Sequence, residues 1–276
     1  MARVSGRLFV VGTPIGNLGD LSERAGATLA SVDLVAAEDT RRTGRLLAHL
    51  GADRPMVSVF EGNERERTEL LLASLRAGRD VALVSDAGMP LVSDPGYRIV
   101  RACAAEGIEV VVIPGPSAVT AALAVSGLPT DRFVFEGFLP KKGGERRERL
   151  RALAEEERTI VLFESPARIA ALLRSLSEEL GDRRVALCRE LTKLHEEIVR
   201  GTPTDVLARL GDRPPKGEIV IVVEGRPEVT VPLEELVGEA RALVDGGARK
   251  REAATTVARR HHANANRIYD ALIAGP

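Results

Sequence analysis

The sequence predicts an α/β protein with a mostly parallel N-terminal sheet, a mixed second sheet and a small helical appendage at its C-terminal end. Three observations predict it. Short apolar runs alternate with amphipathic stretches from Leu8 to Ser126, the pattern of a parallel sheet with helical crossovers. Beyond Asp131 some apolar runs follow each other across short links, which indicates antiparallel pairing within a mixed sheet. From Pro232 onward the periodicity is helical throughout. The expected domains span residues 7–128, 131–226 and 232–274, with the first break where Gly127-Leu128-Pro129-Thr130 interrupts a helix.

Taken in order, Leu8–Gly12 is a short hydrophobic strand followed by the tight loop Thr13-Pro14-Ile15-Gly16-Asn17. Ser22 opens a helix that runs to Ser31, and Leu34–Ala37 is a second strand ending in Glu38-Asp39-Thr40-Arg41-Arg42. A helix over Thr43–Leu50 stops at Gly51, Met56–Phe60 is strand-like, and Glu64–Ala77 is an amphipathic helix. Val81–Ser85 is an apolar run of the kind buried in parallel sheets. Asp86-Ala87-Gly88-Met89-Pro90 breaks it: Gly88 permits close backbone approach, and Pro90 stiffens the loop and lacks a donor. In Ser93-Asp94-Pro95-Gly96 an aspartate stands directly before a proline, so Asp94 is expected to cap the helix Tyr97–Glu106, which Gly107 closes. Ile108–Ile113 is a further strand, and Pro114-Gly115-Pro116-Ser117-Ala118 turns the chain into the helix Val119–Ser126.

In the second half, strands are expected at Phe133–Phe138, Thr159–Phe163, Arg184–Cys188, His195–Arg200 and Ile219–Glu224. Helices are expected from Pro166 to Leu180 and over Pro203–Leu210. The tail reads as Leu233–Leu243, Arg249–Arg260 and Asn264–Ile273, with Gly246-Gly247 separating the first pair.

Composition narrows the possible functions. Of 276 residues, 44% are hydrophobic and 29% charged, enough to bury a core, and a net charge of −1 confines any nucleic-acid affinity to local patches. Aromatics make up 3% with no tryptophan, too few for a base-stacking platform. Cys103 and Cys188 lie in apolar periodic segments without ligand spacing, which fits a reducing cytoplasm and no metal. The run Leu8–Val11 is too short for a signal segment, and no window approaches the ~20 apolar residues of a membrane span.

The loops after the strands carry backbone amides, glycines and carboxylates, with no histidine cluster and no serine–histidine pair. Gly12-Thr13-Pro14-Ile15-Gly16 lacks dinucleotide-binding spacing and puts a proline where a donor is needed, and a Walker A lysine is missing. A compact zwitterion or a nucleoside, held by main-chain groups and carboxylates, suits such loops better than a polyphosphate.

Several segments in order resemble the tetrapyrrole-methylase-like (class III) methyltransferases. They are Gly12-Thr13-Pro14-Ile15-Gly16-Asn17-Leu18, Ala37-Glu38-Asp39-Thr40-Arg41, Ser85–Pro90, Ser93–Gly96 and Ile113–Ala118. Phe138-Leu139-Pro140-Lys141, Phe163-Glu164-Ser165-Pro166 with Arg168, and Arg189–Lys193 with Glu196-Glu197 resemble the ribosomal-RNA-modifying branch rather than the porphyrin-modifying one. The resemblance covers Leu8–Glu224, with a looser match in the tail. It implies a two-domain homodimeric enzyme that binds S-adenosylmethionine between its domains. The implied reaction is 2′-O-methylation of a cytidine in the decoding region of 16S ribosomal RNA. On this resemblance Pro14 lines the entrance, and Asp86, Ala87 and Gly88 hold the methionine end, with Ser117 and Ala118 beside it. Phe163, Glu164, Leu191, Gly217 and Glu218 close on the adenosine. Two rival functions share these features: methylation of a small tetrapyrrole or diphthine-type substrate, and a non-catalytic RNA-binding assembly role.

A ribose hydroxyl is a poor nucleophile, so a group must take its proton or stabilise the alkoxide. Asp39, Glu190 and Lys193 stand at strand ends bordering the expected cleft, with His195 farther out; Asp39 and Lys193 are the favoured pair. Asp39 beside Arg41 and Arg42 also reads as a unit for positioning RNA phosphate. Lys141–Arg151 holds six basic residues against two acidic ones, and Lys141, Lys142 and Arg146 are expected phosphate contacts. Arg241–Asp270 holds seven basic against three acidic residues, with Arg249 and Lys250 as further contacts; a basic helical tail of this kind suits a phosphate backbone.

Overall fold

In the computed structural model, which describes residues 5–141, 143–211, 215–227, 231–261, 263 and 265–274, the first five strands pair in parallel. They are β1 (Leu8–Val11), β2 (Leu34–Ala37), β3 (Met56–Ser58), β4 (Val81–Val84) and β5 (Val110–Ile113), in the order β3-β2-β4-β1-β5. Both faces of the sheet are covered, and strand alternation sorts the core into two layers. Phe9, Val11, Val35 and Ala82 meet α1 (Glu23–Ser31) and α2 (Thr40–His49). Leu8, Ala36, Val81 and Leu83 meet α3 (Glu64–Arg76) and α4 (Tyr97–Glu106).

The start of α2 and the cap of α4 differ from the sequence reading, and the helix expected from Pro166 begins at Ile169. Helix α2 begins at Thr40 rather than Thr43, because the Asp39 carboxylate accepts the Arg41 N–H at 2.8 Å and caps it. Helix α4 is not capped by Asp94. Its N-cap is Gly96, at φ +130°, a conformation that an L side chain would strain to adopt. The orphan amides go to Glu64 at the start of α3, whose Oε1 accepts the Gly96 N–H at 3.1 Å and the Arg98 N–H at 2.9 Å. A carboxylate from a neighbouring helix therefore does the work expected of Asp94.

Helix α5 (Ala118–Ser126) follows the first sheet in the chain but packs on the second. That sheet holds β6 (Phe133–Phe138), β7 (Thr159–Glu164), β8 (Val185–Arg189), β9 (Glu197–Gly201) and β10 (Ile219–Val223), in the order β6-β7-β10-β8-β9. Only β6 and β7 run parallel; every other pairing is antiparallel. Val119, Ala122 and Leu123 of α5 press on Val161, Ala186, Val220 and Val222. The Arg200 guanidinium on β9 donates to the carbonyls of Val125 and Ser126, satisfying acceptors that the end of α5 leaves open. The opposite face carries α6 (Gly144–Ala154), α7 (Ile169–Leu180) and α8 (Pro203–Leu210) over Ile160, Leu162, Leu187 and Ile221.

Residues up to Arg226 form one compact unit and those from Pro227 a second. The second unit comprises α9 (Leu233–Asp245), α10 (Lys250–Arg260) and α11 (Ala265–Ala274) around Leu236, Ala240, Ala254, Val257, Ile268 and Leu272. No helix among the described residues is long and apolar enough to cross a membrane.

Candidate functional site

Loops at the carboxyl ends of β1, β4 and β5 meet the ends of β7, β8 and β10 around a cavity of about 380 Å³. Open α/β sheets place ligands in this position. The β4 loop is drawn in by a two-way backbone exchange: the Thr13 N–H donates to the Gly88 carbonyl at 2.9 Å, and the Gly88 N–H to the Thr13 carbonyl at 3.1 Å. Gly88 sits at φ +87°, so this turn needs a residue without a Cβ.

Nine of the expected ligand residues line the cavity. From the first sheet come Ala87, Gly88, Ser117 and Ala118; from the second come Phe163, Glu164, Leu191, Gly217 and Glu218. Ser117 is the N-cap of α5 and makes no side-chain capping bond, so amides of the first turn face the cavity end of the helix. Pro14 and Asp86 are not in the lining. Pro14 lies between Thr13, which is bridged to Gly88, and Ile15, which does line it. Asp86 turns the other way. Its Oδ1 accepts the Asp39 N–H at 3.0 Å and its Oδ2 lies 3.5 Å from Arg42, while its own N–H donates to Glu38 at 3.1 Å. Its carboxylate thus clasps the β4 loop to the start of α2.

The two favoured proton acceptors are both committed as ions. Bidentate hydrogen bonds from the Arg41 guanidinium, at 3.0 and 2.7 Å, hold the Asp39 carboxyl well below the usual carboxylate range. Burial alone would lower the Lys193 pKa, but its bonds to Glu190 at 2.7 Å and Glu218 at 3.1 Å prevail and raise it. Lys193 is therefore a fixed cation, and Glu190, hydrogen-bonded to it, is held below the usual range. Neither favoured residue has the near-neutral pKa of a general base.

Three carboxylates line the cavity: Asp94, Glu164 and Glu218. The Glu164 side chain is 1% exposed and is tied to Arg168 at 2.6 Å and to Arg146 at 3.6 Å. Glu218 pairs with Lys193. Asp94 has no cation beside it among the described residues; burial pushes its carboxyl up to about 6, against a hydrogen bond from Ser85 that lowers it and with the charges of Glu38 and Asp86 adding to the rise. Burial also raises the Cys188 thiol to about 11, so it lines the cavity as a neutral group. Reading the sequence missed Asp94 as a site residue, though the motif around it stood out; an Asp-Pro pair before a helix signals a cap, and only the position of Glu64 removes that role.

The expected phosphate contacts divide. Arg41 is 87% exposed at its side chain, and Arg42 is half exposed at the same helix start. Lys141, Arg147 and Arg168 surround a separate hollow of about 280 Å³ on α6 and α7. Arg146 also borders it but is nine-tenths buried, because its guanidinium neutralises the buried Glu164; it is a structural ion rather than an open phosphate contact. Lys142 lies outside the described residues. In the helical unit, Arg249 and Lys250 are exposed at the start of α10, where the helix dipole disfavours cations. No group of three or more potential metal ligands occurs among the described residues.

Comparison with known proteins places this architecture. Residues 7–207 match the model of the Tetrapyrrole (Corrin/Porphyrin) Methylases. A Thermotoga maritima protein named ribosomal RNA small subunit methyltransferase I is 50% identical over 80% of this chain and 99% of its own length. A Mycobacterium tuberculosis protein of the same name is 47% identical over 98% of this chain and 95% of its own. Among solved structures, a uroporphyrin-III-C-methyltransferase from Thermus thermophilus superposes with TM-score 0.57 and 26% identity, covering 80% of this chain and 94% of that one. The methyltransferase CobJ superposes with TM-score 0.60 at 22% identity, over 80% and 95% of the two chains, a likeness of fold. The chain therefore belongs to the tetrapyrrole (corrin/porphyrin) methylase family of class III methyltransferases, alongside relatives named ribosomal RNA small subunit methyltransferase I.

Proposed function

We propose that the protein methylates the 2′-hydroxyl of a cytidine ribose in the decoding region of 16S ribosomal RNA, free or within the small subunit. The observation that carries this reading is the 47% identity to a small-subunit ribosomal RNA methyltransferase over 98% of the chain. S-adenosylmethionine is the methyl donor of class III enzymes, and a uroporphyrin-III C-methyltransferase of this fold from Thermus thermophilus has been solved with S-adenosyl homocysteine. The lining suits such a molecule. Phe163, Leu191, Ile219 and Val220 offer apolar surface to a nucleobase. The uncapped start of α5 offers amides to a carboxylate, and Glu164 and Glu218 suit an ammonium or ribose hydroxyls. When bound, the donor supplies an activated methyl group, leaving the protein the work of orientation.

Arg41, Arg42, Lys141, Arg249 and Lys250 are assigned to RNA phosphates; such contacts fix position without reading sequence. The chain divides at residues 128–131 into two α/β domains that share the cavity, and at 226–232 from the helical domain. A second copy is assigned to the β5 edge, where Val112 is 57% exposed; an open apolar edge strand favours pairing or cover. The two buried free thiols support a cytoplasmic setting.

The deciding experiment incubates the protein and tritiated S-adenosylmethionine with unmodified 16S ribosomal RNA, with small subunits and with uroporphyrinogen III, and digests labelled RNA to nucleosides. Label in 2′-O-methylcytidine is expected. Label in a base refutes the ribose assignment, and label in the tetrapyrrole alone favours the small-molecule reading. Donor binding without transfer to any acceptor refutes the proposal.

A further inference from the structure

We infer that Asp94 is the catalytic group that accepts the proton of the attacking hydroxyl. The inference rests on the ribose reading above. Of the ionisable groups that line the cavity, all but one are already paired or neutral. Glu164 is neutralised by Arg146 and Arg168, Glu218 is paired with Lys193, and Cys188 is a buried thiol. No lysine, arginine or histidine is in the lining. Asp94 is the one cavity carboxylate with no cation beside it among the described residues.

The backbone is arranged to put it there. Ser93, immediately before it, has φ +64°, and Leu91 has φ +74°, costly positions for residues with a Cβ. An Asp-Pro-Gly sequence at a helix start would ordinarily spend its carboxylate on the helix amides. Glu64 takes those amides from α3, and Asp94 is left facing the cavity.

The charged groups around Asp94 are mostly acidic or already paired. Glu38, from the end of β2, and Asp86, from its own loop, press on it as like charges. Arg42 is taken by Asp86 at 3.5 Å, and Arg98 leans on Glu64 at 3.8 Å. Glu164 and Glu218 line the same cavity, each with its own cations. With that surrounding, the Asp94 carboxyl titrates at about 6 and is ionised at neutral pH, yet basic enough to take a proton.

The step balances without another reactant. The ribose oxygen forms a bond to the methyl carbon as the carbon–sulfur bond breaks, and sulfur keeps that electron pair. The hydroxyl proton passes to an Asp94 Oδ, which returns it to water after product leaves.

The test compares wild type with Asp94→Asn, a near-isosteric change, and with Asp94→Glu. Wild-type single-turnover methylation of small subunits is expected to rise tenfold per pH unit below about 6 and to level off above it. Asp94→Asn is expected to bind S-adenosylmethionine as wild type does, to transfer about a hundredfold more slowly, and to lose the inflection. Asp94→Glu is expected to recover part of the rate together with a shifted inflection.

A second readout needs no ligand. A carboxyl whose folded pKa exceeds its unfolded value stabilises less as pH climbs between the two. Wild type should therefore lose melting temperature relative to Asp94→Asn from about pH 4 to about 6. Asp94→Asn that transfers to ribose within threefold of wild type, or that no longer binds the donor, overturns the assignment. Methyl found on a base, or no transfer by wild type, fails the ribose reading instead; the ligand-free melting curves then decide whether Asp94 is a carboxylate with no cation to hold its pKa down.

Discussion

The two walls of the cavity handle charge in opposite ways. On the side of the second sheet every carboxylate is neutralised: Glu164 by two arginines, Glu190 and Glu218 by the same lysine. On the side of the first sheet Asp94 lines the cavity, Glu38 and Asp86 press on it from behind the lining, and of these three only Asp86 has an arginine within ion-pair distance among the described residues. A saturated wall holds shape across a wide pH range. An unsaturated wall is poised to exchange a proton or to receive a cation. The contrast teaches that carboxylates in one cavity are not interchangeable candidates; their partners decide which ones position and which ones react.

Substitutions on each wall break or sharpen this contrast. The largest effect is expected from Glu164→Gln, which leaves two arginines facing each other without their anion. Denaturant unfolding should show a loss of roughly 3–5 kcal/mol, the usual cost of breaking a buried pair on one side. A loss under about 1 kcal/mol would mean that this wall is not saturated in solution.

Lys193→Met should be milder, since the group is partly exposed. Calorimetric titration is expected to show donor affinity reduced about tenfold, as Glu190 and Glu218 repel each other and the loop before β10 relaxes. The wild-type pH–rate inflection should survive in this variant; its disappearance would move the proton acceptor to the other wall.

The smallest effect is expected at Asp39. Its folded pKa is depressed by Arg41, so its stabilisation is present above the unfolded carboxylate value, near ~4, and fades as pH falls below that. Asp39→Ala should lower the melting temperature at neutral pH, and the gap should close on acidification. A methylation rate reduced a hundredfold with unchanged stability would restore Asp39 as a chemical group.

How far this site could be read from the chain depends on how local its causes are. Gly88 and the helix start at Ser117 are local: a glycine after a buried strand and a serine before a small-residue helix say what they do. The neutral state of the second wall is not local. Lys193 and Glu218 are 25 residues apart, and nothing in either segment announces the other. Arg146 reads as one more cation in a basic run until the fold brings Glu164 under it. Asp94 is the sharpest case, because its immediate neighbours argue for a capping role that a residue 30 positions earlier has already taken. The orientation of Asp86 is non-local for the same reason: its partners, Asp39 and Arg42, belong to another loop.

Helix α5 carries a last consequence. It is the direct continuation of the fifth strand of one sheet, yet its buried side chains complete the core of the other. Removing either sheet would strip apolar cover from this helix or cut it from its anchor, so neither half has a whole core of its own. Residues up to Arg226 should then melt in a single cooperative step, and a nascent chain ending at Ser126 should keep α5 unprotected in hydrogen exchange until β10 is added.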